Sequence, residues 1–463
     1  MTALNEWSAA ELSAAYAARS LSPVEVARAT IAHIEAHEPQ LCAMYAFDPE
    51  GALGMARASE ARWMKGASLS AIDGVSVTIK ENIATRGVPV PMGTAAAVLT
   101  PAHEDSPPAA RLREAGAVFL GKTTMPDFGM LSSGLSSFHK LARNPWDLNK
   151  NPGGSSAGAG AAAAAGYGPL HIGTDIGGSV RLPAGWCGVF GLKPSLGRIP
   201  IKPPYYGRVA GPMTRTVRDA ALLMQQLTKP DWRDSMSLPP AAIDWTALDI
   251  DVSKLKVGLL LDAGWGEAVD PEVLAVIEAA AKAFAAAGAR VEAMPPFITR
   301  DMADGIDRFF RTRSWLDIAA LPEERRAKVL PYIREWVASG AGYSGAQVFH
   351  AFSQIGVMRE AAINACQPYD FVLSPVAPMV AFAAEWPGPT NDPQRPFEHI
   401  AFTLTYNMSE QPAASVNAGY NSAGLPIGLQ IIGRRFDDLG VMRLASAWEQ
   451  IRPAQRRWPM PGR

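Results

Sequence analysis

Residues 144–194 constrain this chain more than any other stretch. They are dense in Gly, Ala and Ser, and carry two Gly-Gly-Ser elements, Gly153-Gly154-Ser155 and Gly177-Gly178-Ser179, whose serines stand 24 residues apart. Glycine permits backbone shapes that other residues resist and lets the main chain approach a ligand or a neighbouring element closely. Small residues at 157–165 let a helix lie close against a strand, which accounts for the alanines. Close packing does not account for two serines behind paired glycines, nor for Thr174, Asp175 and Arg181 in an otherwise apolar segment. A serine held out at a glycine turn, with main-chain N–H groups beside it, is equipped for acyl transfer.

The flanking sequence reads as alternating strands and helices. Val75, Val77 and Ile79 alternate with Ser76, Thr78 and Lys80, the period of a strand. Ser106-Pro107 opens a helix, and residues 117–120 form the next short buried strand. Strand, helix, strand in that order argues for a βαβ unit with parallel pairing. Strand 256–261, a helix from Asp270-Pro271 and strand 289–294 repeat the pattern. Further strands are predicted at 371–373, 413–416 and 427–432, with helices at 216–227 and 439–451. The first 65 residues read as helical, with Ser22 capping and Pro23 in the first turn. Residues 301–366 read as mainly helical, 122–152 as mostly loop and 228–254 as a surface excursion. No composition break or internal repeat marks a domain boundary.

Several function classes fall away on composition. Lys plus Arg number 43 against 44 acidic residues, a net charge of −1, which gives nucleic acid no basic surface to bind. Cys42, Cys187 and Cys366 are too few and too scattered for a disulfide framework or a zinc knuckle. No secretory signal and no membrane-length apolar run is seen, so a cytoplasmic location is expected, with no membrane partner. His33 and His37 have metal-ligand spacing, but no third ligand lies nearby, so no metal is expected.

Three short motifs carry little weight. Residues 154–158 fit the G-x-S-x-G elbow of α/β-hydrolases with Ser156 as nucleophile, yet no histidine has a supporting context. Residues 158–163 resemble a degraded dinucleotide loop without the strand before it or the acidic residue after it. Ser137-Phe138-His139-Lys140 fits S-x-x-K with no K-T-G to follow.

A serine needs a base, and a neutral lysine can replace histidine. Free lysine titrates near 10.4 and a working base near 7–8, a shift of about three units or about 4 kcal/mol that burial must supply. Lys80, at the end of an apolar strand, is placed for such burial. The alternative is a lysine whose amine reaches water.

At this point the sequence resembles a known family. Residues 153–158, the run Gly173-Thr174-Asp175-Ile176-Gly177-Gly178-Ser179-Val180-Arg181-Leu182-Pro183-Ala184 and Phe190-Gly191-Leu192-Lys193-Pro194 look like the amidase signature. The lysine strand at 73–82, Asn144-Pro145-Trp146-Asp147, residues 211–219 and residues 424–433 also fit, in the family's order. The resemblance implies an α/β fold, with a large mixed sheet flanked by helices on both faces. It implies a single amidase domain over 1–463: an N-terminal helical segment at 1–65, the signature core at 66–230, and the rest of the sheet at 231–463 with a helical insertion around 301–366.

The resemblance also assigns roles. Ser179 would be the nucleophile, Ser155 after a cis peptide bond the proton relay, and Lys80 the base. The N–H groups of Ile176, Gly177, Gly178 and Ser179 would form the oxyanion hole, and the Met130 carbonyl would meet the leaving group. Asp175 and Arg181 would brace the loop as a buried pair. Ala157 stands where the family usually has Gly.

The expected activity is hydrolysis of a small-molecule amide, of aryl or apolar type, with carbamates or esters as further substrates and no cofactor. Homodimerisation is left open. Phe309, Phe310, Trp315 and Trp336 are candidates for either a substrate pocket or the core. Three other readings stand beside this one: the glutamine-hydrolysing subunit of a tRNA-dependent amidotransferase, an α/β-hydrolase-type esterase using Ser156, and a non-catalytic binding protein.

Overall fold

The computed structural model describes residues 3–460. Eleven strands join in one mixed sheet: Met44–Tyr45 (β1), Ser76–Lys80 (β2), Val118–Thr123 (β3), Leu170–Asp175 (β4), Phe190–Lys193 (β5), Val209–Thr214 (β6), Lys256–Leu259 (β7), Arg290–Ala293 (β8), Phe371–Pro375 (β9), Ala413–Tyr420 (β10) and Pro426–Gly433 (β11). Their order across the sheet is β1-β3-β2-β4-β6-β5-β10-β11-β9-β7-β8.

Both predicted βαβ units are present and sit toward opposite ends of the sheet. β2 and β3 pair in parallel across the helix Pro107–Glu114, and β7 and β8 do so across Pro271–Ala286. Between them the sheet is largely antiparallel, through β4, β6, β5, β10, β11 and β9. The sequence reading missed β4, β5 and β6. They are buried on both faces and broken by Gly173, Gly191, Gly211 and Pro212, so neither alternation nor β-propensity marks them.

Neighbouring residues on a strand face opposite layers. Val77, Ile79, Leu170, Leu192, Leu373 and Ile431 belong to one core, packed under the helices Val217–Leu227, Pro271–Ala286 and Asp438–Ile451. Val118 and Leu120 face the opposite side, against Ala161, Ala162 and Ala165 of the helix Ala157–Ala165. Every residue of that helix is buried. Only side chains this small let it lie flat on the sheet at native packing density. The helix Arg181–Cys187 adjoins it through Ala184 and Cys187.

β2 therefore alternates between two buried faces rather than between core and water. Its apolar residues feed one core, while Thr78 and Lys80 turn toward the layer that carries both Gly-Gly-Ser elements.

The N-terminal segment is helical at Ala9–Ala17, Pro23–Leu41 and Pro49–Met64, with Ser22 capping the second as predicted, but the short strand β1, paired antiparallel with β3, interrupts the stretch read as helical throughout. The 301–366 region forms the helices Arg300–Ala319, Glu323–Arg326, Pro331–Val337 and Gly345–Cys366. Among the described residues no helix is long and apolar enough to cross a membrane.

Candidate active site

Lys80 ends β2 with its side chain fully buried. Its Nζ lies 2.8 Å from Ser155 Oγ, 3.0 Å from Ser156 Oγ and 3.0 Å from Thr174 Oγ1. Burial pushes its pKa well below the ordinary lysine value, and the positive charge of Arg208 pushes it further, against the pull of Asp175 and Glu81. The neutral amine is favoured because desolvation penalises the charged form.

Two other lysines are also buried and drawn down to about 7, so depression alone does not single out a base. Lys122 donates to Ile83 O and Thr85 Oγ1, and Lys193 to Pro194 O. Of these three, Lys80 is the one that meets serine hydroxyls.

Ser155 is carried by a loop that Asn151 pins from its side chain. Asn151 Oδ1 accepts from Gly153 N and Gly134 N, and Nδ2 donates to Ser133 Oγ and Ala384 O. The Gly154–Ser155 peptide is cis, as the family resemblance implies. Gly154 is forced by close approach: a Cβ there would lie 2.4 Å from Ser133 N.

Ser179 stands on the loop between β4 and the helix Arg181–Cys187. Asp175 and Arg181 form a wholly buried pair with Nη2 to Oδ1 at 3.0 Å. Burial alone would raise the Asp175 carboxyl, but the Arg181 guanidinium and main-chain donors hold it below the usual carboxylate range. Arg181 also reaches Thr403 O and Gln430 Oε1, tying the loop to distant chain. This is the bracing role expected for the pair.

One expectation is corrected by this clamp. The Gly178 N–H donates to Asp175 Oδ1 at 2.8 Å, and Val180 N–H to Oδ2 at 3.0 Å. Gly178, at φ +129°, turns the chain so that its amide faces the carboxylate. The Ile176, Gly177 and Ser179 N–H groups find no acceptor among the described residues. The two serine loops touch directly, Ser156 N donating to Ser179 O at 3.2 Å.

Ser155 and Ser179 open together into a cavity of about 160 Å³, with Thr174, Asn82 and Met130 in its lining. Its walls are apolar at Phe128, Leu131, Phe310, Trp336, Phe397 and Leu404, and charged at Arg208, Arg313 and Asp317. Of the four aromatic candidates, Phe310 and Trp336 face the cavity. Phe309 packs against Phe310 and Phe352, and Trp315 does not line the cavity but packs behind it, in a cluster with Ile333 and the wall residue Leu131.

Asn82, two residues after Lys80, could have been picked from its place in the lysine strand. Arg208, Arg313, Asp317 and Phe397 carry no local signal that marks them as cavity residues.

Ser156 does not line the cavity. Its Oγ is buried between Lys80 Nζ and Thr174, accepting from Thr174 N and donating to Thr174 O at 3.2 Å. No histidine lines the cavity among the described residues. His171 is buried against Thr78 Oγ1 and Gly168 O, and burial holds it near 3. The elbow reading, which needs Ser156 exposed beside a histidine, is overturned by this geometry. His33 and His37 pack with their ring centres 4.6 Å apart and their planes tilted, and among the described residues no group of three His, Cys, Asp or Glu side chains is placed to hold a metal.

Comparison with known proteins agrees with the sequence resemblance. The Amidase family model matches residues 25–442. The chain is 36% identical to an acylamidase of Rhodococcus erythropolis, covering 96% of this chain and 95% of that protein. It is 35% identical to a subunit of the glutamyl-tRNA(Gln) amidotransferase of Myxococcus xanthus, covering 95% and 96%. Its fold is similar to that of a bacterial aryl acylamidase of the amidase signature enzymes, with a TM-score of 0.90, 31% identity and 99% of both chains covered.

Proposed function

The chain belongs to the amidase signature family and hydrolyses amide C–N bonds, and we propose that it does so through Ser179, Ser155 and Lys80 on apolar or aryl small-molecule amides. The observation that carries the reading is the desolvated Lys80 amine 2.8 Å from the hydroxyl of Ser155, which lines one cavity together with Ser179.

Ser179 Oγ attacks the substrate carbonyl carbon. Its proton passes to Ser155 Oγ as the Ser155 proton passes to the Lys80 lone pair. The oxyanion forms beside the free N–H groups of Ile176, Gly177 and Ser179, donors set before charge develops and therefore strongest in the transition state. Collapse returns the proton along the same relay to the departing nitrogen, near the Met130 carbonyl, and leaves an acyl group on Ser179. A water molecule, deprotonated by the same relay, attacks the acyl-enzyme and releases the acid.

The aromatic and aliphatic walls favour an apolar acyl or aryl group by removing its surface from water. Carbamates and esters follow the same acyl path and belong to the proposed range.

A second reading, glutamine hydrolysis as part of a tRNA-linked amidotransferase, is favoured by the similarity to the Myxococcus xanthus protein. Assay of the isolated chain against an anilide, an aliphatic amide, a phenyl carbamate and glutamine separates the two. Turnover of the anilide without any partner is expected. Glutaminase activity that appears only when partner proteins are added, with the anilide inert, would overturn the first reading.

A further inference from the structure

Arg208 is a cation in the active-site cavity with no acidic partner among the described residues. It directly precedes β6, whose Val209 pairs with Asp175 at the end of β4. That register places Arg208 beside the start of the loop that bears Ser179. Its side chain lines the cavity that holds Ser155 and Ser179. Among the described residues it forms no ion pair, and its hydrogen bond goes to the Pro203 carbonyl at 3.2 Å.

Arg313 lines the same cavity, with its guanidinium 4.3 Å from the centre of the Tyr205 ring. It too forms no ion pair among the described residues. The acidic groups nearby do not neutralise Arg208. Asp317 sits one turn beyond Arg313 on the same helix, and Asp175 is engaged by Arg181.

A guanidinium stays protonated across the working range of an enzyme. Burial and the charge of Arg313 lower Arg208 only to about 10, so it is charged at neutral pH. A half-buried charge without a counter-charge bears part of the desolvation cost, and a second cation nearby raises it. An anionic ligand group removes that cost, and a carboxylate matches the guanidinium fork with two parallel hydrogen bonds.

We infer that Arg208, supported by the field of Arg313, binds a carboxylate on the substrate, so that the preferred substrate is an apolar amide bearing one anionic group. This rests on the reading of the cavity as the amide-hydrolysing site, and names the substrate class that the site selects. The apolar walls hold the body of the substrate, and Arg208 holds its charged end.

The test uses isosteric pairs. Glutaranilate is compared with uncharged 5-methylhexananilide, and 4-acetamidobenzoate with 4′-isopropylacetanilide, so that the carboxylate lies on the acyl side in one pair and on the amine side in the other. In the unaltered chain the charged member of at least one pair is expected to lead in kcat/KM by about 10- to 100-fold, the range of a charge-assisted hydrogen bond. Arg208→Gln should bring that pair near parity, mainly through KM, and Arg208→Lys should restore part of the preference. Any change in Lys80 basicity acts on both members of a pair and cancels in the ratio.

Equal turnover within both pairs, or a ratio unmoved by Arg208→Gln, overturns the inference. A binding measurement keeps it open to refutation if no anilide is cleaved, an outcome that would instead sink the aryl-amide reading. In Ser179→Ala, 3-phenylpropionate should raise the melting temperature and 3-phenylpropanol should not. Adding Arg208→Gln should abolish the shift, and a shift that persists, or is absent from Ser179→Ala, overturns the inference.

Discussion

The floor and the wall of the cavity are built on opposite principles. On the floor, polar groups are buried and matched: Lys80 with two serines and a threonine, Asp175 with Arg181 and two main-chain N–H groups. On the wall, large apolar side chains from separate helices and loops surround charged groups that form no ion pair among the described residues, Arg208 foremost. The floor is closed to change because each group there sets the state of another. The wall is open to change because its unmatched surface is completed by the ligand. Changes to the floor should therefore alter the rate with every substrate, and changes to the wall should redistribute rates among substrates.

The largest effect expected is on the floor. Ser179→Ala and Lys80→Met should each lower kcat by about 10⁵- to 10⁶-fold, as loss of a nucleophile or its base does in serine hydrolases. The loss should be equal on an anilide and an aliphatic amide in steady-state assays. A loss confined to one substrate would break the distinction between floor and wall.

Ser155→Ala should cost about 10²- to 10⁴-fold, the usual contribution of a positioned proton-transfer group. Asp175→Asn leaves Arg181 buried without its counter-charge and should destabilise the fold by about 3–5 kcal/mol, read by denaturant titration. Retained stability would show that the other partners of Arg181, Thr403 O and Gln430, carry the loop without the carboxylate.

On the wall, Phe310→Ala or Trp336→Ala should change the kcat/KM ratio between a bulky and a small acyl anilide by about 10- to 100-fold, the scale on which pocket contacts discriminate. An unchanged ratio would return both aromatics to the core. Ser156→Ala should cost about 10-fold or less, since its hydroxyl touches Lys80 but not the cavity.

The pH profile is the finest probe. In the proposed mechanism Lys80 acts as the neutral amine, so activity should fall as pH drops through its folded-state pKa and level off above it. The midpoint of that limb should lie well below the ordinary lysine value, in the direction burial sets. Removing the charge of Arg208 should move the limb to higher pH, because one of the two causes holding the amine neutral is gone. A limb that does not move would separate Arg208 from Lys80 electrostatically.

The parts of the site that are legible in the sequence share a physical basis. Ser155 and Ser179 lie in local runs whose backbone shape depends on glycines adjacent in the chain. Lys80 ends a strand whose period is visible in eight residues or fewer. The parallel βαβ units are legible for the same reason, since each is a contiguous strand, helix and strand. β4, β5 and β6 are not, because glycines at 173, 191 and 211 and Pro212 interrupt their apolar pattern and lower their β-propensity, whereas β2, equally buried, keeps a clean Val/Ile alternation.

The sequence alone determined the fold family and the hydrolysis of amides, and put forward Lys80, Ser155 and Ser179 as the residues proposed to carry it. The order of residues along the chain already sets local backbone geometry and the placing of a lysine at a strand end. Only the tertiary structure decided which N–H groups remain free, since Gly178 was equivalent to its neighbours until Asp175 took its amide. It alone decided that Lys80 meets the hydroxyls while Lys122 and Lys193 do not. It alone assembled the wall from residues around 130, 208, 313, 336 and 397. An apolar or charged side chain reads the same in sequence whether it faces the core, a cavity or water, and only long-range packing decides which it meets.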